Sequence, residues 1–171
     1  DGIDGILGLP LFESYVVQVD YRNLKIRLFN RGAALPEYPL STPLSISDSL
    51  MGIHLTDSAG KPGLFVLDTG CSSGILMGCH ASKKFGFCRG CGAEAHVLYA
   101  SGKMQAQRFR NTLWLIGDLA IEGVEAVVST DSSKGLLADR RWAGIVGNRL
   151  LSKFRVTFDL PSRRLFLEPA E

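Results

Sequence analysis

No apolar stretch in this 171-residue chain approaches the roughly 18 residues that a helix needs to cross a bilayer, so no membrane-spanning helix is expected. Dense Lys/Arg tracts with interleaved aromatics are also missing. With a net charge of only +2, the chain lacks the electrostatic footprint of a nucleic-acid binder. Histidines number three, and the four cysteines include a single C-x-x-C pair, Cys88-Arg89-Gly90-Cys91. Even beside His80 and His96, one such pair with irregular upstream spacing is a poor zinc signature, so neither a metal nor another cofactor is expected. A thioredoxin-type role would place the pair at a helix start after a strand, whereas here it sits in a glycine-rich loop. The chain opens at Asp1 inside an apolar-patterned segment, without an initiator Met, a charged n-region or an h-region. It therefore reads as a trimmed or processed fragment.

What is present fits a globular protein: 46% apolar and 21% charged residues, enough chain for one domain, or one domain with a piece of another. The most informative stretch is Leu64-Phe65-Val66-Leu67-Asp68-Thr69-Gly70. Four consecutive apolar residues read as a strand buried on both faces. Asp68 is thereby expected at the rim of a core, where a carboxylate is costly unless hydrogen-bonded or paired. Gly70 permits a sharp turn and a close backbone approach, and the Thr69 hydroxyl can lock it. Taken alone, the triplet also fits an ordinary Asx-type turn.

Alternating patterns predict strands in the rest of the chain. Val17, Val19 and Tyr21, then Ile26 and Leu28, make a hairpin around Arg22-Asn23. Residues 31–43, with Pro36, Pro39 and Pro43, read as a linker. Strands are expected at Met51 to Thr56, Ile75 to Met77, His96 to Tyr99, Lys103 to Phe109, Leu113 to Ile116 and Ile121 to Val128. Cys79 to Phe85 is expected as one short amphipathic helix. The closing stretch follows the grammar of the opening one. Placing Gly5 on Gly144 also puts Ile6, Gly8, Leu11, Val17, Asp20 and Leu28 on Ile145, Gly147, Leu150, Val156, Asp159 and Leu167, without a gap. Shared glycines, alternation and turns argue for internal duplication. On this reading, residues 1–30 are the C-terminal tail of an upstream duplicated lobe, 31–43 a linker and 44–171 a complete lobe.

Three segments together resemble the retropepsin-like aspartic peptidases, in particular the bacterial type. They are Asp68-Thr69-Gly70 after its apolar strand, Gly144-Ile145-Val146-Gly147 with Asn148-Arg149-Leu150-Leu151, and the closing pair Phe154 to Asp159 with Arg164 to Leu167. The resemblance implies a mostly β fold, a small closed antiparallel barrel with one or two short helices. It implies Asp68 as the catalytic carboxylate, Thr69 as a hydroxyl bonding across a dimer axis and Gly70 as a backbone donor to the carboxylates. Gly144, Ile145, Val146 and Gly147 would support the active-site loop, and Ala100-Ser101-Gly102 would tip a flap over a peptide or protein substrate. Cys71 departs from the family, in which Ala or Ser is usual there.

Such chemistry needs two carboxyls about 3 Å apart that share a proton and so supply acid and base together. The chain carries a single Asp-Thr/Ser-Gly triplet, so the second must come from another copy in a dimer or from an upstream lobe. The activity expected is that of an aspartic endopeptidase. The rival reading from another class is an inactive retropepsin-like module kept for peptide binding or assembly. Gly70-Cys71-Ser72-Ser73-Gly74 also fits the nucleophile elbow G-x-S-x-G, but that fold needs an acid and then a His after the Ser. The last His is His96, with Glu94 alone between as a carboxylate. For the cysteines, one disulfide from Cys79 to Cys88 or Cys91 is expected, with Cys71 buried as a small apolar residue; four cysteines allow three full connectivities. A disulfide would favour an exported, oxidising location. His54 is expected at the surface, and Trp114 and Trp142 in the core or an interface.

Overall fold

The computed structural model describes residues 5–99, 102–131 and 135–170. Its first elements are α1 (Leu9–Ser14), β1 (Tyr15–Asp20), β2 (Lys25–Asn30), β3 (Leu40–Pro43), β4 (Ser45–Ser47), β5 (Leu50–Asp57) and β6 (Pro62–Leu67). Next come β7 (Ile75–Met77), α2 (Cys79–Ser82), β8 (Ala93–Tyr99), β9 (Gly102–Ile116) and β10 (Leu119–Ser129). A 3-10 turn at Leu136–Ala138 leads to β11 (Gly144–Val146), α3 (Asn148–Leu151), β12 (Phe154–Asp159) and β13 (Arg164–Pro169). The described residues are mostly β, with three short α-helices where one or two were expected. Of these, α1 has Pro10 in its first turn, where the missing N–H costs nothing.

Two compact units divide the chain: Asp1–Met51 with Ser152–Glu171, and Gly52–Leu151. In the first, an antiparallel sheet runs β2-β1-β12-β13-β3. β3 takes up the last four residues of the 31–43 stretch, a strand that the surrounding prolines hide from any periodicity. The hairpins β1–β2 and β12–β13 share several turn features. Asp20 Oδ1 accepts the Asn23 N–H at 3.0 Å, as Asp159 Oδ1 accepts the Ser162 N–H at 3.1 Å. Leu24 and Arg163 each adopt φ 52° at the corresponding turn position. The Leu11 N–H meets the Gly8 carbonyl at 3.1 Å, as the Leu150 N–H meets that of Gly147 at 3.1 Å. Where β1 and β12 pair, Gln18 faces Thr157, Val17 faces Phe158 and Val19 faces Val156. Since the hairpin overlay puts Val17 on Val156 and Val19 on Phe158, this register is two-fold symmetric about Gln18 and Thr157. Buried Gln18 donates to Thr157 Oγ1 at 3.0 Å, and Thr157 in turn bonds the Tyr38 hydroxyl at 3.1 Å, which satisfies the polar centre of the sheet.

In the second unit the strands follow the order β5-β6-β11-β7-β10-β9-β8, and β5 pairs again with β9 through Thr56–Leu115 and Asp57–Trp114. The sheet is thus ring-like, with β8 appended to β9. β9 is one strand of 15 residues rather than the two expected. Asn111, at φ 55°, and register shifts along β10 between Ile121 and Ala126 absorb the irregularity that interrupts the alternation. Inside lies an aromatic cluster: the Phe65 and Phe85 rings stand 5.5 and 5.2 Å from that of Trp114. Trp114 and Trp142 are both buried and His54 is exposed.

The cysteine pairing differs from expectation. Cys88 bonds to Cys91, and Cys79 is in no disulfide. Gly90, at φ 86°, folds the intervening loop back so that the two Cα atoms lie 5.5 Å apart, within bridging range, whereas Cys79 opens α2. Among the described residues no helix is long and apolar enough to cross a membrane, which leaves β-barrels unaddressed.

Candidate active site

β6 lies between β5 and β11, so Phe65, Val66 and Leu67 are buried on both faces, as their unbroken apolarity requires. The strand ends there, and Asp68, Thr69 and Gly70 are exposed. Asp68 therefore lies one residue beyond the core, and in this lobe its carboxylate is not desolvated. The loop is nevertheless tightly held. The Asp68 N–H donates to the Val146 carbonyl at 3.0 Å and the Cys71 N–H to the Asp68 carbonyl at 3.1 Å. The Gly70 N–H donates to Asp68 Oδ1 at 2.8 Å, fixing the carboxylate's orientation from its own turn.

Residues 144–147 lie directly against this loop. β11 runs parallel to β6, with Gly144, Ile145 and Val146 opposite Phe65, Val66 and Leu67, and antiparallel to β7. Both glycines mark close backbone approaches. A Cβ on Gly144 would lie 2.2 Å from the Leu76 carbonyl oxygen, and one on Gly147 would lie 2.5 Å from that of Cys71. Just beyond, the Asn148 side-chain amide donates to the Thr69 carbonyl, and its own N–H to the Cys71 carbonyl at 2.7 Å. The Arg149 N–H reaches the Ser73 carbonyl at 3.3 Å. Asn148 thus pins the peptide in the middle of the triplet. The pairing of β11 alongside β6 is what brings its amide to Thr69, 79 positions earlier in the sequence.

Cys71, half-buried behind the triplet, packs against the cluster of Leu76, Ala95, Ala106, Val127, Leu137 and Ile145. Burial, with the Asp68 charge beside it, pushes its thiol pKa up, so it stays a neutral packing group. Gly102 opens β9 at φ 147°, opposite Tyr99 at the end of β8. It therefore stands at the mouth of the hairpin expected to form a flap; Ala100 and Ser101 lie outside the described residues. Among those that are described, no three His, Cys, Asp or Glu side chains gather so as to hold a metal ion. His80 Nε2 lies 3.0 Å from the Trp142 carbonyl, a contact that ties α2 to the segment entering β11.

No family model matches the sequence, and the search of curated proteins found no match. Among solved structures, the chain is similar to a retropepsin-like aspartic protease from Rickettsia conorii. The two share 19% identity, and the likeness covers 78% of this chain and 96% of that chain with a TM-score of 0.56. The sheet that carries Asp68 just beyond β6 and the glycine-bounded β11 beside it thus belongs to a chain with the fold of the retropepsin-like aspartic proteases.

Proposed function

We propose that this chain provides one half of an aspartic endopeptidase, with Asp68 as one of its two catalytic carboxylates. The observation that carries the reading is the Asp68 turn, held on one side by the Gly70 N–H and on the other by the β11–Asn148 segment, within a fold of this type. In the assembled site, one carboxylate removes a proton from water as the water oxygen attacks the peptide carbonyl carbon. The neighbouring carboxylic acid gives its proton to the carbonyl oxygen. Collapse of the tetrahedral intermediate then returns that oxygen to a carbonyl and passes a proton to the leaving nitrogen. The pair titrates as a unit. An exposed Asp68 suits a half-site, because the desolvation that couples two carboxylates arises only when the second half covers the first.

The first unit favours an upstream lobe of the same polypeptide over a second copy as the source of the other carboxylate. β1 pairs with β12 in two-fold symmetric register, so a strand matching β12 already occupies the edge on which a second copy's β12 would dock. The positions around that hairpin are also unsatisfied. Ile6 and Leu7 are 92% and 73% exposed, where their counterparts Ile145 and Val146 are 8% and 0%. Ile26 and Leu28 are 61% and 49% exposed, where Leu165 and Leu167 are both 0%. Burying each such side chain is worth about 1.5–3 kcal/mol, and strands of an upstream lobe equivalent to β6 and β7 would flank Ile6 and Leu7 as β6 and β7 flank Ile145 and Val146. The Cys88–Cys91 disulfide fits an oxidising compartment.

The test is cleavage of an unstructured protein at acidic and neutral pH. It compares this chain, the chain extended by the upstream sequence, and Asp68→Asn in each. Cleavage by the extended form that Asp68→Asn abolishes is expected. Equal activity with and without the substitution would sink the aspartic mechanism. Activity of the short chain that disappears on dilution would replace the upstream lobe by a homodimer.

A further inference from the structure

Beside the Asp68 loop lies a cavity of about 230 Å³ that the catalytic reading does not use. Ser72 and Ser73, which continue the chain from Cys71, form one wall. Another comes from His96, Val97 and Leu98 on β8, the strand leading to the hairpin tip. Its floor carries three charged side chains brought from three separate places, Arg108 on β9, Glu125 on β10 and Arg149 on α3. Glu125, largely buried, sits between the two cations: its Oε1 meets Arg149 Nη1 at 2.9 Å, and its Oε2 lies 3.4 Å from Arg108 Nε. Arg108 Nε is itself buried and lacks a hydrogen-bond partner of good geometry, so the Glu125 contact leaves that guanidinium under-satisfied. Around the cavity, then, two permanent positive charges face a single carboxylate, and the guanidiniums of Arg108 and especially Arg149 remain in part open to solvent.

We propose that this cavity is a substrate subsite that accepts the carboxylate of an Asp or Glu side chain close to the scissile bond. The inference rests on the peptidase reading for its location, and on the Arg–Glu–Arg floor for its chemistry. Glu125 lies between the two guanidiniums and hydrogen-bonds that of Arg149, while the net charge of one remaining cation attracts an anion. A Lys or Arg side chain would meet two like charges before reaching the one carboxylate. An aliphatic side chain would strip water from all three charged groups without replacing their hydrogen bonds. Nothing in the triplet itself selects side chains; the selectivity comes from Arg149, which the helix after β11 carries to the cavity, together with Arg108 and Glu125 from β9 and β10.

Two readouts on the extended protein separate this inference from the reading beneath it. First, labelled peptides that differ at single positions in Asp, Glu, Lys, Arg, Leu or Ala are bound to the Asp68→Asn protein and followed by fluorescence anisotropy. Second, the cleavage sites that the unsubstituted protein makes in a peptide mixture are read by mass spectrometry. Tighter binding of the acidic peptides at one position, by roughly tenfold over alanine, is expected, as is Asp/Glu enrichment at the same position in the cleavage profile. Arg149→Gln, checked for native folding by its thermal transition, should erase the preference, whereas Arg149→Lys should keep part of it. Binding that ignores the acidic side chain, or favours the basic one, overturns the subsite. Acid-selective binding without cleavage leaves the subsite standing and removes the peptidase; cleavage without acid selectivity does the reverse.

Discussion

Replacing Gly147 by alanine tests how the loop of Asp68 is held. A Cβ there would lie 2.4 Å from the Ser73 carbonyl oxygen, 2.5 Å from that of Cys71 and 3.0 Å from the Cys71 Cβ. Carbon and oxygen settle at about 3.3 Å, so the 71–73 segment has to withdraw by roughly 0.9 Å. It cannot do so freely. The Cys71 and Ser73 carbonyls accept the Asn148 and Arg149 N–H groups at 2.7 and 3.3 Å, and the Gly147 N–H donates to the Gly74 carbonyl at 3.0 Å. Overpacking of this kind costs about 1–3 kcal/mol, and each weakened hydrogen bond adds about 1 kcal/mol. A loss of about 3–5 kcal/mol is therefore expected in urea unfolding, a large share of a typical domain's stability. In the proposed peptidase a shift of this size at the carboxylate should lower kcat by on the order of a hundredfold. Gly8, the counterpart in the first unit, is the internal control. Its added Cβ would come no closer than 3.7 Å to Pro10, and Gly8→Ala should change stability by less than about 1 kcal/mol. If Gly147→Ala unfolds with Gly8→Ala and keeps full turnover, β11 does not brace the loop and the argument for its role fails.

Asn148→Ala should remove the amide donated to Thr69 and cost about 1 kcal/mol in urea unfolding. It should also reduce turnover more than binding, which the ratio of kcat to KM will separate. Iodoacetamide applied at neutral pH without reductant should label exposed Cys79 ahead of Cys71, whose thiol is held neutral, and leave Cys88 and Cys91 unmodified until reduction. Because the Cys88–Cys91 loop is short, the double Ser variant should lose no more than about 2 kcal/mol. The Asn23 side chain and N–H, assisted by Arg155, hold the Asp20 carboxyl below its ordinary value of 3.8. Its contribution to stability is then present above that value and lost as pH falls through the lower folded value. The gap in urea midpoint between the parent and Asp20→Asn should accordingly be constant near neutrality and close at acid pH.

Legibility in the sequence followed sequence distance. Leu64 to Leu67, Gly144 to Gly147 and both hairpins were readable because each is a local pattern of apolar residues ended by a turn, and each overlaps its observed strand. β3 was not, because Pro36 and Pro39 mask a strand whose pairing with β13 depends on tertiary position rather than on alternation. The single long β9 was read as two, since polar Arg110, Asn111 and Thr112 interrupt the pattern that a bulge in three dimensions tolerates. The Cys88–Cys91 bond was misassigned because spacing alone carries no information about the left-handed glycine between them. At the site, the triplet could be singled out, but its fastenings could not. Asn148 and Thr69 are 79 positions apart, and Arg108, Glu125 and Arg149 meet only after three strands and a helix have closed around them.

That same separation has a kinetic side. β11 is a three-residue strand inserted between β6 and β7, parallel to one and antiparallel to the other, and it reaches them only after β8, β9 and β10 have been made. Pairings of such long sequence separation form late, because the loop they close must be immobilised before any contact rewards it. A growing chain therefore presents Asp68 on an unbraced loop until residues 144–148, in about its last sixth, arrive. For a protein proposed to cut peptide bonds, the order of assembly itself delays competence until the lobe is whole.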